Sequence, residues 1–165
     1  MEISIVRLQD RDAEELYRFE MENRRFFEEM VPSRGDGYYQ FETFKIRHQD
    51  LLVEQQDERS EFYLIRDNSG NIVGRINLVD ITNNVAEVGF RVGKEYVGKG
   101  IGTTALNLLL KTAIHVEKVI GKTTTNNIAS QKTLEKNGFK QVYISDELFE
   151  MNGQQLQFIH YIWER

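Results

Sequence analysis

The chain has 165 residues, of which 40% are hydrophobic and 28% charged, and it carries a formal net charge of -5, one proline and no cysteine. This composition excludes a disordered or collagen-like chain, a disulfide framework and a cysteine nucleophile, and it predicts one globular domain over residues 1–165. No apolar run approaches the roughly 20 residues of a membrane helix, and the N-terminus lacks the apolar core of a signal peptide, so we expect a cytoplasmic protein without a membrane partner.

The first third of the chain is predicted to be mostly helical. Residues 2–8 mix apolar and polar side chains as a first strand does, whereas the amphipathic stretch 13–30 predicts one or two helices with a break near Asn23. After a loop over 31–37, a second charged helical stretch runs from about residue 39 to 56. Four aromatic residues gather at its start, with core packing as their favoured role and a substrate mouth as the alternative: Tyr38, Tyr39, Phe41 and Phe44.

From residue 61 the pattern changes to strands, with turns at 68–71 and 82–84. The alternation predicts three adjacent antiparallel strands, the last of them over 85–92. In the second strand, we expect one face to carry Ile72, Ile76 and Leu78 and the other to carry Val73 and Val79. In the third strand, the period of two places Glu87, Gly89 and Arg91 on one face, opposite Ala86, Val88 and Phe90.

The last third predicts alternating helices and strands. A helix follows a glycine-rich segment, a β-branched strand covers 118–125, and a second helix over 129–136 stops at Asn137-Gly138. A closing hairpin is expected from the stretches 139–144 and 156–163, turned around Asn152-Gly153. The element order predicts an α/β fold of the α+β type, with a mixed sheet that is antiparallel early and contains a βαβ crossover later.

The sharpest local feature is the segment Gly98-Lys99-Gly100-Ile101-Gly102-Thr103, at the junction of a strand and a helix. Unpaired amides at a helix start carry partial positive charge, and glycines let a phosphate approach them, so the segment predicts a pyrophosphate site. The nucleoside triphosphate loop is excluded because Gly100, and not a hydroxyl residue, follows Lys99. The dinucleotide pattern G-x-G-x-x-G is excluded because Thr103 stands where its third glycine would be.

These residues resemble the GNAT superfamily of acetyltransferases, whose R/Q-x-x-G-x-G/A signature falls on residues 97–102, with Val97 in place of the opening Arg or Gln. A second match is Asn127-x-x-Ser130 followed by the segment Leu134-Glu135-Lys136-Asn137-Gly138-Phe139, which is similar to the ribosomal-protein N-acetyltransferase branch. The resemblance covers residues 60–140 well and the first 60 residues only by element order. It implies a GNAT-like twisted mixed sheet with helices on both faces.

The resemblance also implies acetyl-CoA as co-substrate. The main chain of Phe90, Arg91 and Val92 should pair with the pantetheine arm as an added strand does. The pyrophosphate should be held by Gly98, Gly100, Ile101, Gly102 and Thr103. Asn127 is expected to contact the cofactor arm, to cap the following helix, or to do both.

Direct transfer to an amine requires a base for the ammonium proton and an acid for the departing thiolate. Glu87 is the first candidate for the base, against an ordinary strand carboxylate or an ion pair with Arg91 or Arg75. In a neighbouring branch of the family a tyrosine protonates the thiolate, but Leu134 stands at that position here. The acid is then Ser130 or solvent, or the thiolate leaves unaided. The three histidines are scattered along the chain, so no metal site is expected.

The acceptor is expected to be a protein N-terminal amine, a polyamine or another small amine. The acidic balance of the chain argues against nucleic acid and slightly favours cationic partners such as amines or basic peptides. A homodimer is left open. The alternative to an enzyme is a non-catalytic acyl-CoA-binding sensor or interaction module with the same fold.

Overall fold

The computed structural model describes residues 1–165, which form a seven-stranded mixed sheet, a small two-stranded sheet and five α-helices. The strands are β1 (Ile3–Arg7), β2 (Glu61–Asp67), β3 (Ile72–Thr82), β4 (Val85–Val92), β5 (Lys118–Thr124), β6 (Lys140–Ile144), β7 (Phe149–Met151), β8 (Gln154–Leu156) and β9 (Phe158–Glu164). The helices are α1 (Ala13–Glu22), α2 (Arg24–Met30), α3 (Phe41–Gln56), α4 (Ile101–Thr112) and α5 (Ile128–Lys136). None of these helices is long and apolar enough to cross a membrane.

The large sheet has the strand order β1-β2-β3-β4-β5-β9-β6. Strands β1 to β4 are antiparallel neighbours, and β4 pairs with β5 in parallel, with α4 as the crossover between them. Strand β9 lies between β5 and β6 and is antiparallel to both. The predicted fold class, antiparallel early and with one βαβ unit later, is therefore confirmed.

A wedge opens between the two parallel strands. The pairing of β4 with β5 runs from Val85–Val88 to Lys118–Gly121 and ends there. The rest of β4, residues 89–92, still pairs with β3 on its other side. The edge of β4 that faces β5 beyond Val88 consequently has no strand partner, and its peptide groups are available to a ligand.

Helices cover both faces of the large sheet, as predicted. Helices α4 and α5 bury their apolar faces on one side, where Leu106 and Leu109 pack with Ile76 and Val88 in the larger core cluster. Helices α1, α2 and α3 cover the other side with a smaller and more aromatic cluster. Tyr38, Tyr39 and Phe44 are buried in this second cluster, so their favoured role in the core is confirmed.

The predicted faces of β3 are wrong at its first two residues. Ile72 lies in the aromatic cluster and Val73 in the larger one, the reverse of the expectation, whereas Ile76 and Leu78 share a face as predicted. The register between β2 and β3 shifts at Ile65/Arg66. A bulge of this kind adds one residue to one strand and so inverts the alternation beyond it.

The closing hairpin is also more elaborate than predicted. Strands β6 and β9 do pair, but the turn at Asn152-Gly153 belongs to the separate hairpin of β7 and β8. The Asn152 side chain donates hydrogen bonds to the carbonyls of Glu28 and Glu29, at 3.1 and 3.2 Å. The small hairpin therefore satisfies carbonyls at the C-terminal end of α2, which otherwise lack partners within the helix.

Candidate functional site

A cavity of about 380 Å³ lies at the open end of the wedge, between the end of β4 and the first turns of α4 and α5, with α2 above it. Its apolar roof consists of Phe26, Phe27, Met30 and Val31, which the sequence did not single out. The cavity brings together ten residues that the sequence predicted for the site: Phe90, Arg91, Val92, Gly98, Gly100, Ile101, Gly102, Thr103, Asn127 and Ser130.

The glycine segment forms a turn whose amides all lack an internal partner. Gly98 and Gly100 have φ angles of +77° and +75°, a left-handed conformation that glycine adopts without strain. Gly100 is the N-cap of α4 and its carbonyl accepts the first helical bond from Thr104 N, at 3.0 Å. The amides of residues 98–103 make no hydrogen bond within the protein. Six free N–H groups at the start of a helix form a site for an anion.

Two asparagines hold this turn in place. The Asn23 side chain accepts a hydrogen bond from Lys94 N at 2.8 Å and donates one to the Phe19 carbonyl at 2.9 Å. The Asn137 side chain donates to the carbonyls of Thr103 and Thr133, at 3.1 and 3.0 Å, and so ties α4 to α5. The loop is thus positioned from both sides before any ligand binds, which lowers the entropy that binding must remove.

The residues present fit coenzyme A. A Cβ at Gly98 or Gly100 would meet nothing within 4 Å, so the space over the turn is open to a diphosphate. The unpaired edge of β4 offers donors and acceptors in the spacing that an amide-bearing pantetheine arm can use. The apolar roof on α2 covers the space between these two elements.

Asn127 and Ser130 lie where α5 begins. The Asn127 side chain accepts a hydrogen bond from Ser130 N at 3.2 Å, which is the capping role that the sequence proposed as one alternative. Both residues also line the cavity, so the capping role and a role toward the cofactor are compatible. The Ser130 hydroxyl makes no hydrogen bond within the protein and is free to serve a ligand.

Glu87 lies outside this cavity. Its carboxylate is 3.4 Å from Lys122 Nζ, and the two arginines that were considered as its partners pair with another carboxylate. Glu87, Gly89 and Arg91 share one face of β4, as the alternation predicted. Across β5 from Glu87, burial lowers the pKa of His160 and Lys122 lowers it further, while Glu87 acts in the opposite direction. The structure does not bring Glu87 and Ser130 into contact.

The carboxylate that pairs with the two arginines is Glu20, on α1. Its side chain is 0% exposed, with Arg75 Nη1 at 3.5 Å and Arg91 Nη1 at 3.1 Å. The Tyr38 hydroxyl donates to Glu20 Oε1 at 2.8 Å. Burial alone raises the pKa of Glu20, but Arg75, Arg91, the Tyr38 hydroxyl and Arg34 lower it by more, so the net pKa is below its ordinary value.

Sequence reasoning missed this buried cluster. The available signal was Glu20 on the apolar stripe of α1, beside Leu16 and Phe19, with two arginines at inward positions of neighbouring strands. Arg91 also lies over the Phe27 ring, with its Cζ 4.4 Å from the ring centroid. The cluster thereby holds α2, the roof of the cavity, against β4.

A second cavity of about 250 Å³ adjoins the first on the other side of the wedge. The two share Phe90, Asn127 and Ser130, so they meet at the ends of β4 and α5. Gly89 forms part of its floor, and a Cβ there would meet nothing within 4 Å. A small nucleophile can therefore approach the junction from the second cavity while the first holds the cofactor.

Leu134 is buried and provides no acid at the junction. It is 1% exposed, and a Cβ on Gly121 would lie 2.8 Å from Leu134 Cδ2, so α5 packs directly on β5 here. Gly121 has no Cβ, and this allows the close approach. Ser130 is consequently the hydroxyl that lines both cavities.

Several known proteins resemble this chain in sequence and in fold. A model of the acetyltransferase (GNAT) domain matches residues 3–140. The probable N-acetyltransferase YjcK of Bacillus subtilis (strain 168) is 30% identical, over 86% of this chain and 82% of that protein.

Two solved structures share the fold. The ribosomal-protein-S5-alanine acetyltransferase of Vibrio fischeri superposes with a TM-score of 0.89 at 22% identity, over 99% of this chain and 93% of that one. RimL, a ribosomal L7/L12 alpha-N-protein acetyltransferase solved in complex with coenzyme A, has a TM-score of 0.88 at 17% identity, over 98% and 93% of the two chains. At these identities the likeness shows the fold and leaves the acceptor open.

Proposed function

Because this chain belongs to the GNAT acetyltransferase family, we propose that it transfers an acetyl group from acetyl-CoA directly to an amine. The observation that carries the proposal is the junction of two cavities at the wedge, one beside unpaired helix-start amides and the other above Gly89. Direct transfer fits a chain without cysteine, since no thiol can carry an acyl intermediate.

Each part of the first cavity has a role in binding. The free amides of residues 98–103 hold the diphosphate, and the edge of β4 at residues 90–92 pairs with the pantetheine arm. Asn127 contacts the arm while capping α5. When bound, acetyl-CoA supplies a thioester whose carbonyl carbon is the electrophile, and this arrangement directs that carbon to the junction of the two cavities.

The amine must lose a proton before it attacks, and the thiolate must gain one. We assign the amine proton to Glu87 through solvent, because Glu87 lies two residues from Gly89 on the same face of β4 and its ion-pair partner Lys122 lines the second cavity. Ser130 donates the proton to the sulfur, since its hydroxyl is free and lines both cavities. A β4 amide near Phe90 stabilises the oxyanion.

A non-catalytic acyl-CoA sensor is the second candidate function. It is favoured by two observations, the buried Leu134 in place of a proton donor and the position of Glu87 outside the cofactor cavity. Tight binding of coenzyme A without thiol release from acetyl-CoA would favour this candidate over the enzyme.

The direct test of the enzyme is thiol release from acetyl-CoA in the presence of an amine panel. The panel should contain peptides with free N-termini, polyamines, and amino acids with neutral and acidic side chains. We expect release above the rate without amine for at least one class. A panel without any release, from a protein that still binds coenzyme A, would contradict the proposal.

Substitution of Ser130 by alanine is expected to lower kcat by about a hundredfold, the low end for general acid–base catalysis, because water can replace a lost donor. The dissociation constant of coenzyme A should stay nearly unchanged, since the cap at Asn127 uses the backbone of residue 130. Glu87→Gln should lower kcat to a similar extent. Ser69→Ala, in the exposed β2–β3 turn, is the matched control. Unchanged kcat in both variants would exclude these roles.

Substitution of Gly89 by valine is expected to raise the KM of the amine by about tenfold, because the added side chain fills space in the second cavity that the amine would occupy. Valine suits a strand, and nothing lies within 4 Å of its Cβ, so the fold should tolerate the change. The affinity for coenzyme A should not change. Gly37→Val, which also meets nothing within 4 Å, is the control. A change in cofactor affinity with an unchanged KM for the amine would show that acceptors do not cross Gly89.

A further inference from the structure

A third cavity, of about 220 Å³, lies between α3 and the sheet. It shares Arg34, Arg75 and Asn77 with the second cavity, so the two are neighbours along β3. Its polar lining, which we call the arginine pocket, is Arg34, Arg47, His48, Glu54, Arg75 and Asn77. Nothing in the proposed acetyl transfer uses this space.

The arginine pocket has more positive than negative charge. Arg34 and Arg47 form no ion pair, although Arg34 lies over the Tyr38 ring, 5.1 Å from its centroid, and is near enough to Glu20 to lower its pKa. The single carboxylate in the lining, Glu54, is 3.8 Å from Arg59, which lies outside the pocket. Arg34 and Arg47 are largely exposed, so an anion in the pocket would gain two guanidinium partners that no carboxylate in the protein occupies.

Arg75 is the most buried of the positively charged side chains in the arginine pocket. Its side chain is 8% exposed, and it shares the single carboxylate of Glu20 with Arg91. Its contacts with Glu20 and with the Tyr38 hydroxyl both use Nη1. The Nε and Nη2 donors therefore remain for a ligand, and this fork suits a carboxylate or a phosphate.

Two buried acceptors in the same pocket also lack partners. His48 is 1% exposed and its Nε2 lies 2.9 Å from the Gln9 carbonyl, so Nε2 carries the proton and Nδ1 is an acceptor. Neither His48 Nδ1 nor Asn77 Oδ1 has a hydrogen-bond partner. Buried polar atoms are usually paired, so these two indicate a ligand that also carries a donor.

We propose that the acceptor amine carries an anionic group, a carboxylate or a phosphate, that binds in the arginine pocket while its amino group lies above Gly89. The inference rests on the proposed function for the reaction, but the binding site stands on its own geometry. It reverses the expectation from the net charge of -5, which favoured cationic partners. The overall charge describes the surface, whereas the acceptor meets the local charge of the cavity.

Matched pairs of acceptors test the proposal. 4-Aminobutanoate should be acetylated with a higher kcat/KM than its amide, 4-aminobutanamide, or phosphoethanolamine with a higher value than ethanolamine, and the pair that shows the preference identifies the anion. In the double variant Arg34→Gln/Arg47→Gln, kcat/KM for the anionic acceptor should fall about tenfold to a hundredfold, the effect of losing charge-assisted hydrogen bonds. The value for the neutral acceptor should not change. Arg25→Gln, an exposed arginine outside the three cavities, is the control.

A binding experiment separates this proposal from the reaction itself. Inorganic phosphate or glutarate, titrated into the protein, should shift the arginine Nε–Hε NMR signal of Arg75 in the wild type and much less in the double variant. Such a shift would support the pocket even if no amine were acetylated. Equal rates within both acceptor pairs, a preference for spermidine, or an unmoved Arg75 signal with both anions would overturn it.

Discussion

Replacing Gly98 and Gly100 together by alanine is expected to weaken coenzyme A binding by about 30-fold to several hundred-fold. Each glycine has a positive φ, and an L-residue in that conformation costs about 1–2 kcal/mol, so the turn relaxes and its amides point away from the diphosphate. No neighbour lies within 4 Å of either Cβ, so the fold itself should survive. Isothermal titration with coenzyme A measures the change.

The control for this variant is Gly70→Ala, in the turn between β2 and β3. Gly70 has a φ of +86° and nothing within 4 Å of its Cβ, so the backbone cost is matched. Its affinity for coenzyme A should equal that of the wild type. If the double variant also kept that affinity, the free amides of residues 98–103 would not be the diphosphate site.

Substitution of Glu20 by glutamine is expected to lower the free energy of unfolding by about 3–5 kcal/mol, the usual effect of removing one partner from a buried ion pair. The amide keeps the size of the side chain but leaves Arg75 and Arg91 buried without a counter-ion. Urea denaturation followed by circular dichroism measures the loss. Glu14→Gln removes an exposed pair with Arg18, at 4.0 Å, and should change the free energy by less than about 0.5 kcal/mol.

The same carboxylate predicts a dependence of stability on pH. Because the folded-state pKa of Glu20 is below its ordinary value of 4.5, its contribution is complete above that value and is lost as the pH falls through the folded pKa. The stability gap between wild type and Glu20→Gln should therefore be widest near neutral pH and narrow in acid. A gap that widened on acidification would contradict the ion-pair assignment.

The glycine turn and the helix cap could be read from the sequence because their parts are neighbours along the chain. Residues 98–103 form the whole amide cluster, and Asn127 caps a helix that begins at the next residue. Local backbone preferences decide such features with little help from distant contacts. The alternation of β4 was likewise predictable, since the period of two follows from strand geometry alone.

The buried cluster around Glu20, the start of β3 and the arginine pocket could not be predicted from the sequence in this way. Glu20 and Arg91 are 71 residues apart in the chain, and nothing local indicates that they meet. The bulge at Ile65/Arg66 inverts the start of β3, because a single inserted residue leaves no clear pattern in the sequence. The arginine pocket joins residues from the loop before α3, from α3 itself and from β3, so its charge appears only after folding.

The sequence by itself determined the class of the sheet, the glycine turn and the family resemblance, because periodicity and contiguous motifs record local backbone geometry. The tertiary structure alone decided which charges are buried together, where Glu87 points and how the cavities connect. Those properties depend on pairs of residues from distant strands and helices, and burial changes the free energy of a charge only after they have packed together.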